Sequence, residues 1–356
     1  MGIDNVFNSD KYTILKNVVD YNGDDVELIV DYDKLETWEV HRRKYAKKDE
    51  STGQYYYDVK FYSQYLIFRM GEKIGIDVPK TEVIHVDGGF YTQASIVYDE
   101  SMKYLAHPVR SSQGKSFLSQ GRIWEEYLDN NYSRKKKEER VIRPCYGEIQ
   151  RMQIDDYINA NIECLKNNGS KPREKYTENE IGEWKQELIT RALFGLRFGM
   201  HGHFHVVATK EKEIDARLGS YFLASYDAFY LGNPEPSIKE LLQENDDVLK
   251  RKVEERERPQ YYAVPGQEIE SLTSRDVITY IYEHYPQEAE RAYERLRQFT
   301  QKDFEEILGA CSEMSDSHKK LALRIFGIRT QEYDQIHQQH IKTQPGIPTA
   351  PYGEGR

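Results

Sequence analysis

Cysteine is scarce. Cys145, Cys164 and Cys311 are the three in 356 residues, odd in number and far apart, with no Cys-x-x-Cys pair. That argues against a disulfide framework and against a Cys-rich zinc site. Long apolar runs are missing as well, since no stretch approaches the roughly 20 apolar residues a membrane-crossing helix requires. Net positive charge is absent: the formal charge is −10. General coating of nucleic acid, which needs Lys and Arg to displace counterions, is thereby disfavoured, although a local basic patch is not. The opening residues Met1-Gly2-Ile3-Asp4-Asn5-Val6 lack the basic-then-apolar order of a signal peptide. Val6 stands where a myristoylation signal wants Ser or Thr. A phosphate-binding Gly-x-x-x-x-Gly-Lys-Ser/Thr run is also absent. Ser111-Ser112-Gln113-Gly114-Lys115-Ser116 contains Gly-Lys-Ser but not the first glycine, and reads as a polar loop. The expectation is a cytoplasmic protein with no membrane association.

What is present is a polar globular composition, 31% charged and 38% hydrophobic, on a chain long enough for two lobes. The 28 tyrosines read as residues that bury a ring while wetting a hydroxyl. The first hundred residues read as mainly β with one helix. Tyr21-Asn22-Gly23-Asp24-Asp25 is a turn signal. Strands are expected over Val26–Tyr32, Thr37–Ala46 and Tyr55–Val59. Phe61–Lys73 is a helix with Leu66, Ile67, Met70 and Ile74 on one stripe and Gly75 at its end. Thr81–Val86 and Phe90–Val97, joined by Asp87-Gly88-Gly89, form a hairpin.

Beyond residue 100 the pattern turns helical. Helices are expected over Gly121–Tyr127, Ile149–Leu165, Asn179–Arg197, Ser237–Leu242, Ser274–Tyr285, Gln287–Phe299, Thr300–Cys311 and Ser317–Phe326, with Ser274 and Thr300 as N-caps. Two short strands, Val206–Thr209 and Tyr221–Ala224, flank a polar turn. Ser133–Arg140 carries five basic residues in eight and reads as a solvated segment. The Pro- and Gly-rich tail reads as disordered. The organisation expected is an N-lobe over 1–100, a helical C-lobe over 101–340 and a tail over 341–356.

One cluster stands out chemically. His201, His203 and His205 are spaced by two, which in a strand places all three on one face. Neutral imidazoles so placed suit Zn²⁺ or another transition metal. A histidine is equally suited to general base work near neutral pH. Gly202 opposes a regular strand there.

The order of elements resembles the HipA-type serine/threonine kinases. Three segments carry the resemblance. The first runs from Phe61 through Gly75-Ile76-Asp77-Val78-Pro79-Lys80-Thr81, similar to the family's helix, "lGi-vP-t" and hairpin. The second is Leu193-Phe194-Gly195-Leu196-Arg197-Phe198-Gly199, which looks like the run before the catalytic loop. The third is Leu223-Ala224-Ser225-Tyr226-Asp227, similar to "LaPiYD", whose Asp holds Mg²⁺. The resemblance implies an α+β, protein-kinase-like two-lobed fold with a small β-rich N-lobe and a larger helical C-lobe. It also implies ATP with Mg²⁺ as cofactor. Arg42, Arg43 and Lys44 are then the candidates for the phosphate-binding cation, Gln64 stands at the position of the helix glutamate, and Asp227 is the metal ligand.

The catalytic loop departs from the pattern. The family reads N-x-D-R-H-x-x-N; an ungapped count puts Gly202 at the Asp and Val207 at the Asn, and a shift by one puts His201 at the Asp with still no Asn. Kinase chemistry is positioning plus charge stabilisation and needs both groups. The reading is therefore a degenerate kinase domain, a pseudokinase or a nucleotide- or protein-binding module. The alternatives are an active ATP-dependent phosphotransferase with a rebuilt loop, and a metal-dependent enzyme using His201, His203 and His205.

Overall fold

The computed structural model describes residues 12–19, 25–31, 36–42, 47–48, 55–56, 62–76, 78, 81–86, 90–99, 104–105, 107–108, 152–168, 172–198, 204–208, 216–220, 229–256, 262–265, 272–311 and 314–343. The first half carries β1 (Tyr12–Val19), β2 (Asp25–Asp31), β3 (Glu36–Arg42), β4 (Lys47–Lys48), β5 (Tyr55–Tyr56), β6 (Thr81–Val86), β7 (Phe90–Asp99), β8 (Tyr104–Leu105) and β9 (His107–Pro108). The order β1-β2-β3-β7-β6, with β8 paired to β7, makes one antiparallel sheet. Of the strands expected over Thr37–Ala46 and Tyr55–Val59, the described parts are β3 and β5, and residues 43–46 and 57–59 lie outside the described residues.

Helix α1 (Tyr62–Lys73) packs against β6. Its predicted stripe is the buried face: Leu66, Ile67, Met70 and Ile74 are all in the core. The helix stops because Gly75 takes φ +70°. Gly75 N–H then donates to Glu72 C=O at 3.0 Å and Ile76 N–H to Gly71 C=O at 2.9 Å, the paired bonds of a Schellman ending. A side chain at positive φ is strained, so Gly75→Ala is expected to cost about 1–2 kcal/mol in urea unfolding. An unchanged midpoint would contradict that geometry.

The second half holds β10 (Met152–Gln153), α2 (Ile154–Asn168), α3 (Glu178–Phe198), β11 (Phe204–Ala208), β12 (Ala216–Ser220), α4 (Glu235–Gln243), α5 (Asp246–Arg256), β13 (Tyr262–Ala263), α6 (Ser274–His284), α7 (Pro286–Leu296), α8 (Gln301–Gly309) and α9 (Asp316–Thr343). Helix α3 is central. Every residue from Leu188 to Phe198 is buried, so this half has no solvent face, the mark of a helix enclosed on all sides. It packs against α2, α6, α7 and α9.

Several expectations shift. Helix α2 begins at Ile154, after β10, and not at residue 149. The N-cap of α6 is Thr273, not Ser274: Thr273 Oγ1 accepts from Asp276 N–H at 3.3 Å, and the Asp276 carboxylate accepts from Thr273 N–H at 2.8 Å. The acid three residues on completes a capping box only from Thr273. Thr300 caps α8 through the same box with Asp303, as expected. The last helix runs on past Phe326 to Thr343. A strand pairing with β11 lies at Ala216–Ser220, and the strand expected at Tyr221–Ala224 falls outside the described residues. The expected helix at 121–127, the basic segment at 133–140 and the tail from 344 are also outside them. Among the described residues, no helix is long and apolar enough to cross a membrane.

Candidate functional site

The place to look is where α3 runs out. Its last turn, Leu196-Arg197-Phe198, is fixed by burial on every side, and only residues 199–203 separate it from β11. Strand β11 is paired on both edges. Phe204 faces Ser220 and Ala208 faces Ala216 across β12, while Val207 and Ala208 also pair with Pro108 and His107 of β9. Helix α2 packs on this three-stranded patch.

Two consequences follow for the predicted residues. First, Val206 and Val207 are strand residues, and His205 sits in the ladder opposite Gly219. His201 and His203 lie outside the described residues, so the shared-face argument reaches His205 alone. Second, residues 199–208 read Gly-Met-His-Gly-His-Phe-His-Val-Val-Ala. That stretch contains no carboxylate and no carboxamide. The next acids in the chain, Glu211, Glu213 and Asp215, follow Ala208, at the end of β11 away from Phe204. At about 3.3 Å per residue, that end is about 13 Å along the strand.

The other predicted residues fall on the sheet and α1. Arg42 is the last residue of β3 and pairs with Thr92 of β7, which pairs in turn with Ile84 of β6. Arg42 is thus two strand spacings, roughly 10 Å, from the strand on which α1 rests. Gln64 lies in the first turn of α1. Arg43, Lys44 and Asp227 are outside the described residues. Just past Asp227, however, the chain is firmly anchored. Phe229, Tyr230 and Leu231 are all buried, and the Phe229 ring lies 5.1 Å from that of Phe304, with the Arg329 guanidinium 5.0 Å away. Tyr230 holds φ +59°, a conformation non-glycine residues seldom adopt, and its hydroxyl donates to Lys252 C=O at 3.0 Å.

Sequence reasoning missed the charged groups that tie these parts together. Arg191, 1% exposed, donates to Glu187 at 2.8 Å. The other oxygen of Glu187 accepts from Arg295 at 2.6 Å. Arg295 continues to the end of α1, donating to Ile74 C=O at 2.7 Å and to Gly75 C=O. The helix carrying Gln64 is thus clamped at its C-terminus to the helix leading into residues 199–203. Closer along, a Cβ on Gly71 would stand 3.8 Å from the Phe194 ring, so the backbone of α1 runs close to that ring of α3. A second arginine, Arg197, is 2% exposed and lies against the Phe198 and Tyr333 rings at 5.1 and 5.2 Å. Burial pulls its basicity below the usual arginine range. The signal available in the sequence was two arginines inside an otherwise apolar helical run, a pattern that rarely occurs unless the charge is held. Among the described residues no group of His, Cys, Asp or Glu is arranged to hold a metal ion.

No protein-family model matches this chain, and no curated protein matches it. Solved structures do. The Helicobacter pylori proinflammatory kinase CtkA superposes with a TM-score of 0.63 at 12% identity, over 97% of this chain and 100% of that one. A chain of the Shewanella oneidensis toxin–antitoxin complex of HipA, HipB and operator DNA is similar at 10% identity and a TM-score of 0.48, over 98% of this chain and 69% of that one. At such identity the likeness to CtkA bears on fold, and the fold is kinase-like.

Proposed function

From a HipA-type kinase fold with an altered loop, we propose that this chain is a pseudokinase: a module that binds ATP with Mg²⁺ and does not carry out ordinary phosphoryl transfer. Residues 1–100 form the β-rich lobe, residues 101–340 the helical lobe, and the nucleotide lies between them. A cation from Arg42, Arg43 or Lys44 reaches the phosphates, and an arginine in that role can clasp them bidentately. Gln64 orients that cation by hydrogen bonding but adds no charge. Asp227 holds one Mg²⁺.

One observation carries this reading. The connection from α3 to β11, together with β11 itself, offers neither an acid to orient an acceptor hydroxyl nor an amide to hold a second metal ion. Both are central to phosphoryl transfer on this fold. His201, His203 or His205 is then left to contact the terminal phosphate. The test is thermal unfolding with ATP, with and without Mg²⁺. Saturating MgATP is expected to raise Tm by about 2 °C or more, because a ligand that binds only the folded state stabilises it by mass action. A flat titration with and without Mg²⁺ would remove nucleotide binding.

A further inference from the structure

Arg197 presents a problem that the kinase reading leaves unsolved. The residue is 2% exposed, and its Nε and Nη1 are both buried with no hydrogen-bond partner. A buried charge with donors left open costs several kcal/mol unless something answers it. The side chain lines a small cavity bounded by the last turn of α3, by α5, by the N-terminus of α6 and by α9. Lys250, Arg275 and Arg329 line the same cavity. The two carboxylates in the lining, Glu254 and Glu332, lie in ion pairs with the other cations, and Glu332 Oε1 is buried without a hydrogen bond. Glu332 lies 3.4 Å from Lys250 and 3.6 Å from Arg275, and Glu254 lies 3.8 Å from Lys250. Burial and the neighbouring Glu332 push Glu254 above the usual carboxylate range. Three cationic side chains, Arg197, Lys250 and Arg275, therefore line the cavity with two carboxylates, and neither carboxylate forms an ion pair with Arg197; the Asp334 carboxylate and the Phe198 and Tyr333 rings act on its charge but leave Nε and Nη1 open. The positive end of the α6 dipole faces the same space, and α6 is 11 residues long.

We propose that this cavity is an anion site for a tetrahedral oxyanion, phosphate in free form or as a small monoester, with the buried Arg197 guanidinium as its floor and Arg275 and Lys250 at its rim. Arg197 belongs to the final turn of α3, so an anion there fixes the point from which residues 199–203 depart. The proposal does not depend on the nucleotide reading.

The experiment is thermal unfolding in millimolar sodium phosphate or O-phosphoserine against sodium chloride at matched ionic strength, with line broadening of the phosphate ³¹P signal as a second readout. Wild-type protein is expected to gain about 2 °C or more in phosphate. A free anion is the ligand if phosphoserine gives no gain, and a monoester is accepted if it does. Arg197→Met is expected to lose the gain and the broadening while keeping its MgATP response. In chloride it should unfold no earlier than wild type, since an apolar side chain replaces a buried charge whose Nε and Nη1 lack hydrogen-bond partners. Should Arg197→Met fail to fold, Arg275→Gln, at a side chain 39% exposed, is expected to cut the phosphate gain by half or more. No phosphate effect on wild type, an equal effect on wild type and either variant, or loss of the phosphate and MgATP responses together would each overturn the proposal. A phosphate gain without any MgATP response would leave it standing and sink the nucleotide reading alone.

Discussion

Replacing Phe198 by Ala is expected to destabilise the protein by about 4 kcal/mol, the middle of the range for an aromatic ring removed from a core. Phe198 is fully buried and closes the helix that leads into residues 199–203. Its ring lies parallel to Phe326 at 5.8 Å, edge-on to Phe194 at 5.1 Å and edge-on to Phe299 at 6.0 Å. It thereby joins α3, α9 and the turn before α8. Dispersion contacts with three rings are lost together, and α3 and α9, each rigid there, can close only part of the void. Urea unfolding followed by tryptophan fluorescence measures the change as a shift in midpoint at constant slope. A loss below about 1 kcal/mol would mean that the aromatic cluster is not packed as described.

The second large effect concerns Glu187. Glu187→Ala removes the counter-charge of a fully buried arginine and of the arginine that holds the end of α1. Breaking one partner of a buried pair costs about 3–5 kcal/mol. Here the Glu187 side chain is 25% exposed, which places the expectation at the low end, about 3 kcal/mol. Glu187→Gln keeps one acceptor and should cost less. The double variant Glu187→Ala with Arg191→Met should recover a good part of the loss, because the stranded charge is gone. Strict additivity of the two single losses would show that the residues do not act as a pair.

Much of the fold could be read from local pattern. Helix α1, the β6–β7 hairpin and the helices from α4 to α8, α5 excepted, declare themselves through apolar spacing and glycine or threonine punctuation. The misses have physical reasons. Strand β1 reads Tyr-Thr-Ile-Leu-Lys-Asn-Val-Val, and its register slips between Ile14 and Lys16, so a bulge breaks the period of two. Helix α5 is so highly charged that its buried pair, Leu249 and Val253, is too thin a stripe to notice. Helix α9 keeps its inward positions beyond Phe326 but fills them with Arg329, Tyr333 and His337 as well as Ile336. The spacing persists while the hydrophobicity fades, and a reading based on hydrophobicity stops early.

The site was legible in part. The departure from the kinase loop pattern is written in residues 199–208 and needed no coordinates. The Glu187–Arg191–Arg295 clamp was not legible, because Arg295 lies 108 residues beyond Glu187 and its target is a pair of backbone carbonyls.

Incubation with γ-labelled ATP and Mg²⁺ is the most direct measure of whether this fold transfers phosphate. The expected result is nucleotide retained by the protein with no label on its own chain and none on a generic acceptor. Robust labelling that disappears in Asp227→Ala would contradict the account, for it would mean that a loop without Asp or Asn still performs the reaction.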